Sequence, residues 1–244
     1  MLTLGGELER AADAVARLEK DFEASPAVLS ITGWHALVTG QFAAAEEKLR
    51  KVFASRPDTE LLVLITRALW GQGKHAEAFA HLQGWLETNP RDAAALLNLA
   101  GAHLDLGQDD KALVVYRQVH EYYPNHVPTL NNIAWLSRKE KPAEALRMAQ
   151  QARDLAPEDP DVLDTLGMLY LDNKDLTQAI WFVGQALERN PTNRQIRLHM
   201  AQVQHAKGQT AEARKNLRIL AEAKDDEPLT RQARALLKEL DAGR

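Results

Sequence analysis

Histidine side chains can bind a metal or transfer protons, and the 244 residues of this chain include eight histidines but no cysteine. His120 and His126 are six residues apart, and so are His199 and His205. Two ligands on one face of a helix need a spacing of three or four residues, so the members of each pair point apart. The sequence therefore predicts no metal site, and we expect no cofactor.

Paired carboxylates, which could serve in acid–base catalysis, occur at Glu46–Glu47 and Asp109–Asp110. Both pairs stand where helices are predicted to start, and negative charge there interacts favourably with the helix dipole. The sequence has no glycine-rich phosphate loop, no His-Glu-x-x-His and no Gly-x-Ser-x-Gly. These observations predict capping charges and a protein that is not an enzyme.

The charge balance and the apolar runs exclude two classes of partner. Lys and Arg number 30 against 34 Asp and Glu, so the net charge is -4, which argues against binding to nucleic acid. The longest apolar run, Leu61–Ile65, is far too short to span a bilayer. We expect neither a nucleic-acid partner nor a membrane-spanning segment.

Proline, alanine and glycine recur along the chain in a fixed phase. Prolines, which mark helix boundaries because they lack an amide hydrogen, follow one another every 33 or 34 residues, at Pro57, Pro90, Pro124, Pro157 and Pro191. Alanine stands twelve residues before each proline and once more beyond them, at Ala45, Ala78, Ala112, Ala145, Ala179 and Ala213. Glycine lies five residues before several of these alanines, at Gly40, Gly73, Gly107 and Gly208. The pattern predicts repeats of helix, tight turn and helix, in which the small alanine lets the two helices approach closely.

This pattern resembles the tetratricopeptide repeat, whose consensus of W-x2-L-G-x2-Y, then A-x3-F, then P extends over 34 residues. The repeat that starts at residue 160 carries the consensus at Leu163, Leu166, Gly167, Tyr170, Ala179, Val183, Ala186 and Pro191. The resemblance implies an all-α fold, a right-handed superhelical solenoid of antiparallel helix pairs.

The phase of the repeat predicts a single solenoid over residues 1–244. It consists of a partial repeat at 1–25, full repeats at 26–58, 59–92, 93–126, 127–159, 160–193 and 194–227, and a C-terminal capping helix at 229–241. Two repeats lack the turn glycine. Pro142 is expected at the first position of a helix in one, and Asn173 is expected to take the left-handed conformation in the other.

The C-terminal part, residues 131–240, has a narrower resemblance to bacterial envelope tetratricopeptide proteins of exopolysaccharide export and exosortase (PEP-CTERM) systems. It is carried by strings close to the repeat consensus, at 131–136, 163–167 and 211–214. If this resemblance holds, the protein is a periplasmic scaffold, and otherwise it is cytoplasmic. Residues 1–7 lack the features of a secretory signal, but the first repeat is partial, so a longer parent protein could carry one upstream.

The family resemblance also implies that the first helix of each pair lines a concave groove, with ligand contacts at the fifth, ninth and twelfth positions of each repeat. Ser30, Leu37 and Gly101 occupy such positions. The remaining positions form the expected partner-binding set: Trp34, Val63, Arg67, Trp70, Leu97, Leu104, Asn131, Trp135, Arg138, Asp164, Met168, Leu171, Leu198, Gln202 and His205. These side chains favour an amphipathic helix or extended peptide with apolar anchors, oriented by Arg67 and Arg138.

Several of these residues have a structural alternative. The tryptophans of the set could pack between first helices as core, and its arginines could be solvated or paired within a helix. Trp181 lies on the outer side of a second helix, where it could form a contact on the convex face or lie partly beneath the next repeat.

The leading hypothesis is a protein-interaction scaffold that binds a peptide, helix or partner protein in the groove. One alternative is self-assembly into a dimer or oligomer through the uncapped apolar end near Met1, Leu2, Leu4 and Leu8. The other is a scaffold associated with polysaccharide export, which the envelope resemblance and the groove tryptophans motivate.

Overall fold

The fold is all-α in the part of the chain that the structure, a computed structural model, describes, namely Arg17 and residues 25–242. These residues form thirteen helices and no strand: α1 (Pro26–Val38), α2 (Phe42–Ser55), α3 (Thr59–Gly71), α4 (His75–Thr88), α5 (Ala93–Asp105), α6 (Asp109–Tyr122), α7 (Val127–Ser137), α8 (Pro142–Leu155), α9 (Pro160–Asp172), α10 (Leu176–Arg189), α11 (Arg194–Ala206), α12 (Thr210–Ala221) and α13 (Pro228–Ala242). The all-α repeat fold that the sequence predicts is thus confirmed. Nearly all of the predicted partial repeat, and the apolar end near Met1, lie outside the described residues.

None of these helices combines the length and the apolar character that a bilayer-spanning segment requires, as far as the described residues extend. The longest of them, α13, has 15 residues.

Acidic and amide side chains start several of the odd-numbered helices, which, apart from the C-terminal helix α13, are the first helices of the predicted repeats. Each accepts a hydrogen bond from a backbone amide that the first turn leaves without a partner within the helix. For example, Asp58 accepts from the amide of Leu61 at 2.8 Å. The residues that cap in this way are Asp58, Asp92, Asp159 and Asn193.

Glycines in the left-handed conformation close the tight turns, as their spacing predicts. The φ angle is 77° at Gly40, and the amide of the next residue bonds back to the carbonyl of Ala36 at 2.8 Å. The turn before α10 differs from the sequence prediction, because its left-handed residue is Lys174, with a φ of 63°, and Asn173 has a φ of -83°. Lys174 lies five residues before Ala179, so the turn geometry selects the position and overrides the preference of asparagine for this conformation.

Six in-phase alanines mark the places where helices meet. All six have no exposed surface: Ala45, Ala78, Ala112, Ala145, Ala179 and Ala213. A larger side chain at such a position would have to displace the neighbouring helix.

The described residues divide into two compact units, which meet between Val115 and Tyr116. In the first unit, the core joins α1, α2 and α3 through side chains such as Leu49, Ile65 and Leu69. In the second unit, α13 packs on α11 and α12, and Leu240 joins Leu198 and its neighbours in the core. Within each unit, successive helices thus bury one another's apolar faces.

A carboxylate in α2 connects this helix to the turn between α3 and α4. Glu46 accepts hydrogen bonds from Arg50 Nε at 2.8 Å, Gln72 Nε2 at 2.8 Å and Lys74 Nζ at 3.0 Å. Although desolvation alone would raise the pKa of Glu46, hydrogen bonds from these three side chains lower it from 4.5 to about 2. Because the folded pKa is below the unfolded one, the ionised carboxylate stabilises the fold at neutral pH.

We expect Glu46→Gln to lower the free energy of unfolding at pH 7 by about 1 kcal/mol, since the site is partly solvated and screened. The difference from wild type should be complete above pH 4.5 and should shrink as the pH falls towards 2. Urea unfolding followed by circular dichroism at several pH values measures it. The control is Glu47→Gln, which removes a neighbouring exposed carboxylate that pairs with Lys51 on the same helix. A pH-independent difference for Glu46→Gln would contradict this account.

Candidate functional site

An open apolar cavity of about 510 Å³ lies in the first unit, where α3 and α5 run side by side. We call it the apolar pocket; its lining residues are Phe42, Thr66, Arg67, Trp70, Gly71, Leu97, Asn98, Gly101, Ala102 and Asp105. Four of them, Arg67, Trp70, Leu97 and Gly101, occupy groove positions expected from the sequence. Its volume is within the range of pockets that bind small ligands or single side chains.

Aromatic rings hold one wall of the apolar pocket in place. The Trp70 ring meets His75 edge-on at 4.2 Å and Phe79 at 5.9 Å between ring centroids. Phe42 lies against Gly71, where an added Cβ would be only 2.6 Å from its ring. Trp70 is half-buried, so it both packs in the unit and contributes surface to the cavity.

Two other lining residues, Gly101 and Arg67, give the apolar pocket open space and a positive charge. A Cβ built on Gly101 meets no atom within 4 Å, so this glycine faces empty space. Arg67 is exposed and forms no ion pair with the described residues. Its guanidinium is therefore available to an incoming negative group or carbonyl oxygen.

A second open cavity, of about 520 Å³, lies in the second unit between α7, α9 and α11. We call it the acidic pocket; its lining residues are Val127, Pro128, Asn131, Asn132, Trp135, Asp159, Asp161, Val162, Asp164, Thr165, Gln195 and His199. Three of them, Asn131, Trp135 and Asp164, belong to the expected partner-binding set. The lining contains three carboxylates and neither lysine nor arginine.

The floor of the acidic pocket is a buried carboxylate–imidazole pair. His199 Nδ1 is 2.6 Å from Asp164 Oδ2, and the two side chains are only 6% and 10% exposed. Gln195 Nε2 lies 2.7 Å from His199 Nε2 and donates to it. A carboxylate oxygen only accepts hydrogen bonds, so the imidazole Nδ1–H donates to Asp164 Oδ2. The Trp135 ring lies 5.5 Å from the imidazole.

Two buried oxygen acceptors of the acidic pocket have no hydrogen-bond partner among the described residues. They are Asp164 Oδ1 and Asn131 Oδ1. Buried polar atoms are nearly always satisfied, so these two acceptors call for a donor that the described residues do not supply. At the rim, partial desolvation, together with the charges of Asp159 and Asp164, raises the pKa of Asp161.

The other expected contacts in the second unit differ in accessibility: one is paired, one is buried and the others are partly or fully exposed. Arg138 places its guanidinium 3.8 Å above the Trp135 ring and pairs with Asp172, so it is occupied within its own unit. Leu198 is only 1% exposed and belongs to the core under α13, which makes it inaccessible as a surface contact. The partly or fully exposed positions are Met168, Leu171, Gln202 and His205.

The remaining predicted contacts lie apart from both pockets. Trp34 is 52% exposed on α1, and Val63 and Leu104 are half-buried. Trp181 on α10 is 55% exposed and meets Phe182 edge-on at 4.6 Å, so most of its ring is open to a contact.

Sequence reasoning missed His199, Gln195 and Phe42 as lining residues. Its spacing rule compared His199 only with His205 on the same helix, whereas the partner, Asp164, is 35 residues away on the preceding first helix. A search at one repeat length plus or minus one residue would have detected the pair. Asn98 and Asn132 bond to carbonyls of their own helices, which is a structural role.

Sequence profiles described as tetratricopeptide repeat match most of the chain. One matches residues 69–133 and 170–240, and another matches residues 136–193. Among curated proteins, the chain is similar to the TPR repeat-containing protein PA4667 of Pseudomonas aeruginosa, with 28% identity over 173 residues, which are 68% of this chain and 29% of that protein. The chain spans less than a third of the length of the curated relatives it matches.

Solved structures share the fold at low sequence identity. A tetratricopeptide repeat protein from Parabacteroides merdae superposes with a TM-score of 0.74 at 17% identity, over 89% of this chain and 87% of that chain. A chain of the APC/C hetero-tetramer Cut9–Hcn1 superposes with a TM-score of 0.73 at 17% identity, over 98% of this chain and 47% of that chain. At this level of identity, both similarities concern the fold alone.

Proposed function

Because the chain belongs to the tetratricopeptide repeat family, we propose that it holds a peptide, a helix or a partner protein against its first helices and catalyses no reaction itself. Proteins of this family generally act as non-catalytic interaction scaffolds. The observation that carries the proposal is the apolar pocket, an open cavity lined mostly by first-helix residues, four of which occupy expected contact positions.

The apolar pocket suits one large apolar side chain of a bound segment. Trp70 and Leu97 supply apolar surface, and aromatic anchors in pockets dominate the energy of many protein interfaces. Arg67 at the rim can bond to a carbonyl or carboxylate of the segment and fix its direction. Burial of the anchor supplies the affinity, and the arginine supplies orientation.

We expect Gly101→Trp to weaken peptide binding at least tenfold, a change of about 1.4 kcal/mol, because the indole would fill the apolar pocket. The peptides are those that wild type selects from a random display library, and fluorescence anisotropy measures their dissociation constants. The fold should tolerate the substitution, since the added side chain enters empty space and Gly101 has no left-handed φ.

The matched control is Gly84→Trp. Gly84 lies on α4, is exposed, and also has no atom within 4 Å of an added Cβ, but it lies outside the apolar pocket. This variant should bind the selected peptides as wild type does. The proposal is wrong if the library yields no peptide that binds, or if Gly101→Trp binds the selected peptides with unchanged affinity.

Self-assembly is the alternative that one surface feature favours. Ile31, Trp34 and Val38 follow helical spacing on α1 and are each about half exposed. Such a stripe could pair with a second copy of the chain. Light scattering after size-exclusion chromatography distinguishes the two functions, because a monomer at all concentrations excludes assembly.

An envelope location, and with it a role beside polysaccharide export, stays a narrower proposal. It rests on the strings at 131–136, 163–167 and 211–214, which are close to the repeat consensus. Titration with neutral and acidic polysaccharides tests it, and unchanged tryptophan fluorescence would remove it.

A further inference from the structure

The two unpartnered acceptors of the acidic pocket define the chemistry that can fill it. Asp164 Oδ1 belongs to a side chain that is nine-tenths buried, and Asn131 Oδ1 is also buried. Both atoms only accept hydrogen bonds, so a matching group must donate to both from within the cavity. Ammonium and guanidinium groups carry several donors and no acceptor.

The charge of the acidic pocket favours a donor that is also a cation. Asp159, Asp161 and Asp164 line it without a lysine or arginine. The raised pKa of Asp161, caused by desolvation and by the other two carboxylates, reflects the same crowding of negative charge. A bound cation would relieve this repulsion, whereas a neutral donor or water would not.

Helix capping explains only part of this cluster. Asp159 Oδ1 accepts from the amides of Asp161 and Val162 and is the N-cap of α9. Asp164 lies in the second turn of α9, makes no capping bond in the structure, and bonds through one oxygen to His199 on another helix. Its free oxygen therefore has no role in starting the helix.

The walls of the acidic pocket suit the stem of a long basic side chain. Val127 and Pro128 provide apolar surface, and Trp135 is an aromatic lining residue. The methylene groups of lysine and arginine pack along such surfaces while their charged ends reach polar groups. Arg138 lies 3.8 Å from the centroid of the Trp135 ring, so one cation–π contact is already present at this ring.

We propose that the acidic pocket binds one positively charged side chain, a lysine or an arginine, of the protein or peptide that the scaffold holds. The inference rests on the proposed function and assigns to the second unit a preference for a basic residue of the bound partner. The cation donates to Asp164 Oδ1 and Asn131 Oδ1, and its stem lies against the apolar walls and Trp135.

The test is a nuclear magnetic resonance titration of the whole chain with N-acetyl-lysine methylamide, N-acetyl-arginine methylamide and the neutral N-acetyl-norleucine methylamide. At least one of the two cationic probes should shift the Trp135 indole and Asn131 side-chain signals saturably at millimolar concentration, and added salt should weaken its binding. The norleucine probe should cause no saturable shift. Equal binding of the neutral probe, or no saturable shift with either cation, would overturn the proposal.

Two variants test the acceptors separately. Asp164→Asn can still accept from His199 but replaces the free oxygen with an amide that repels a donor. Asn131→Leu removes the other acceptor and leaves the Asp164–His199 pair untouched. Each variant should weaken binding of the cationic probe at least tenfold. The shifts of other signals from the pocket measure this binding. Asp154→Asn, which removes an exposed carboxylate of α8 outside the pocket, should have no effect. Unchanged affinity in Asn131→Leu and Asp164→Asn would also overturn the proposal.

The two proposals fail in different ways. If Gly101→Trp abolishes peptide binding and neither cationic probe binds, the acidic pocket lacks the assigned preference and the scaffold function stands. If a cationic probe binds as expected and Gly101→Trp leaves peptide binding unchanged, the apolar pocket is not the anchor site.

Discussion

Gly167→Ala is expected to lower the free energy of unfolding by about 1–3 kcal/mol, although alanine favours a helix by about 1 kcal/mol over glycine. The reason is the contact between α9 and α10. A Cβ on Gly167 would lie 2.3 Å from Val183 Cγ2 and 3.0 Å from the Val183 backbone nitrogen. The side chain could rotate away, but the backbone can move only if the two helices separate.

Urea and thermal unfolding of three variants isolate this contact. Gly84→Ala, at an open helical position, should raise stability by about 0.5–1 kcal/mol and so report the helix preference alone. Val183→Ala combined with Gly167→Ala should recover part of the loss, because it removes the nearest clashing atom. If Gly167→Ala unfolds at the wild-type midpoint or above it, the helices of this pair are not packed as closely as the structure has them.

His199→Leu is expected to destabilise the second unit by about 3 kcal/mol, because it leaves the buried carboxylate of Asp164 without its hydrogen-bond donor. Removing one member of a buried pair costs more than removing both, since the remaining charge stays desolvated. Far-ultraviolet circular dichroism during urea unfolding measures the loss.

The double variant Asp164→Leu with His199→Leu is the decisive comparison. Apolar side chains of similar size at both positions should restore most of the stability. A double variant as unstable as His199→Leu would indicate that packing of the imidazole, and not the pairing, supports this region.

The sequence predicts the helix pairs well because each signal acts locally. A proline ends a helix, a small alanine permits a close contact, and a glycine closes a turn, whatever the rest of the chain does. Lys174 shows where residue preference fails. The spacing of five residues before Ala179 indicates Lys174 as the left-handed residue, whereas the preference of asparagine for this conformation indicates Asn173. The structure follows the spacing.

The pockets are less predictable because they depend on neighbouring helices. Asn131, Trp135 and Asp164 are accessible to prediction, since they recur at fixed positions of the repeat. The role of His199 requires knowing how α11 is rotated against α9, and a pattern within one helix carries no such information. Leu198 occupies an expected contact position but is buried, because α13 covers that side of α11.

The two pockets differ in how easily they can change during evolution. The apolar pocket has open space at Gly101, whereas the acidic pocket contains the buried pair of Asp164 and His199. Substitutions at Gly101 alter the shape of the apolar pocket without disturbing a packed neighbour, so partner preference there can drift in single steps. Asp164 both faces the acidic pocket and bonds to His199, so a new preference there requires a coordinated second substitution. If both pockets bind a partner as proposed, partner preference should diversify mainly through the first unit, while the preference for positive charge at the second unit persists.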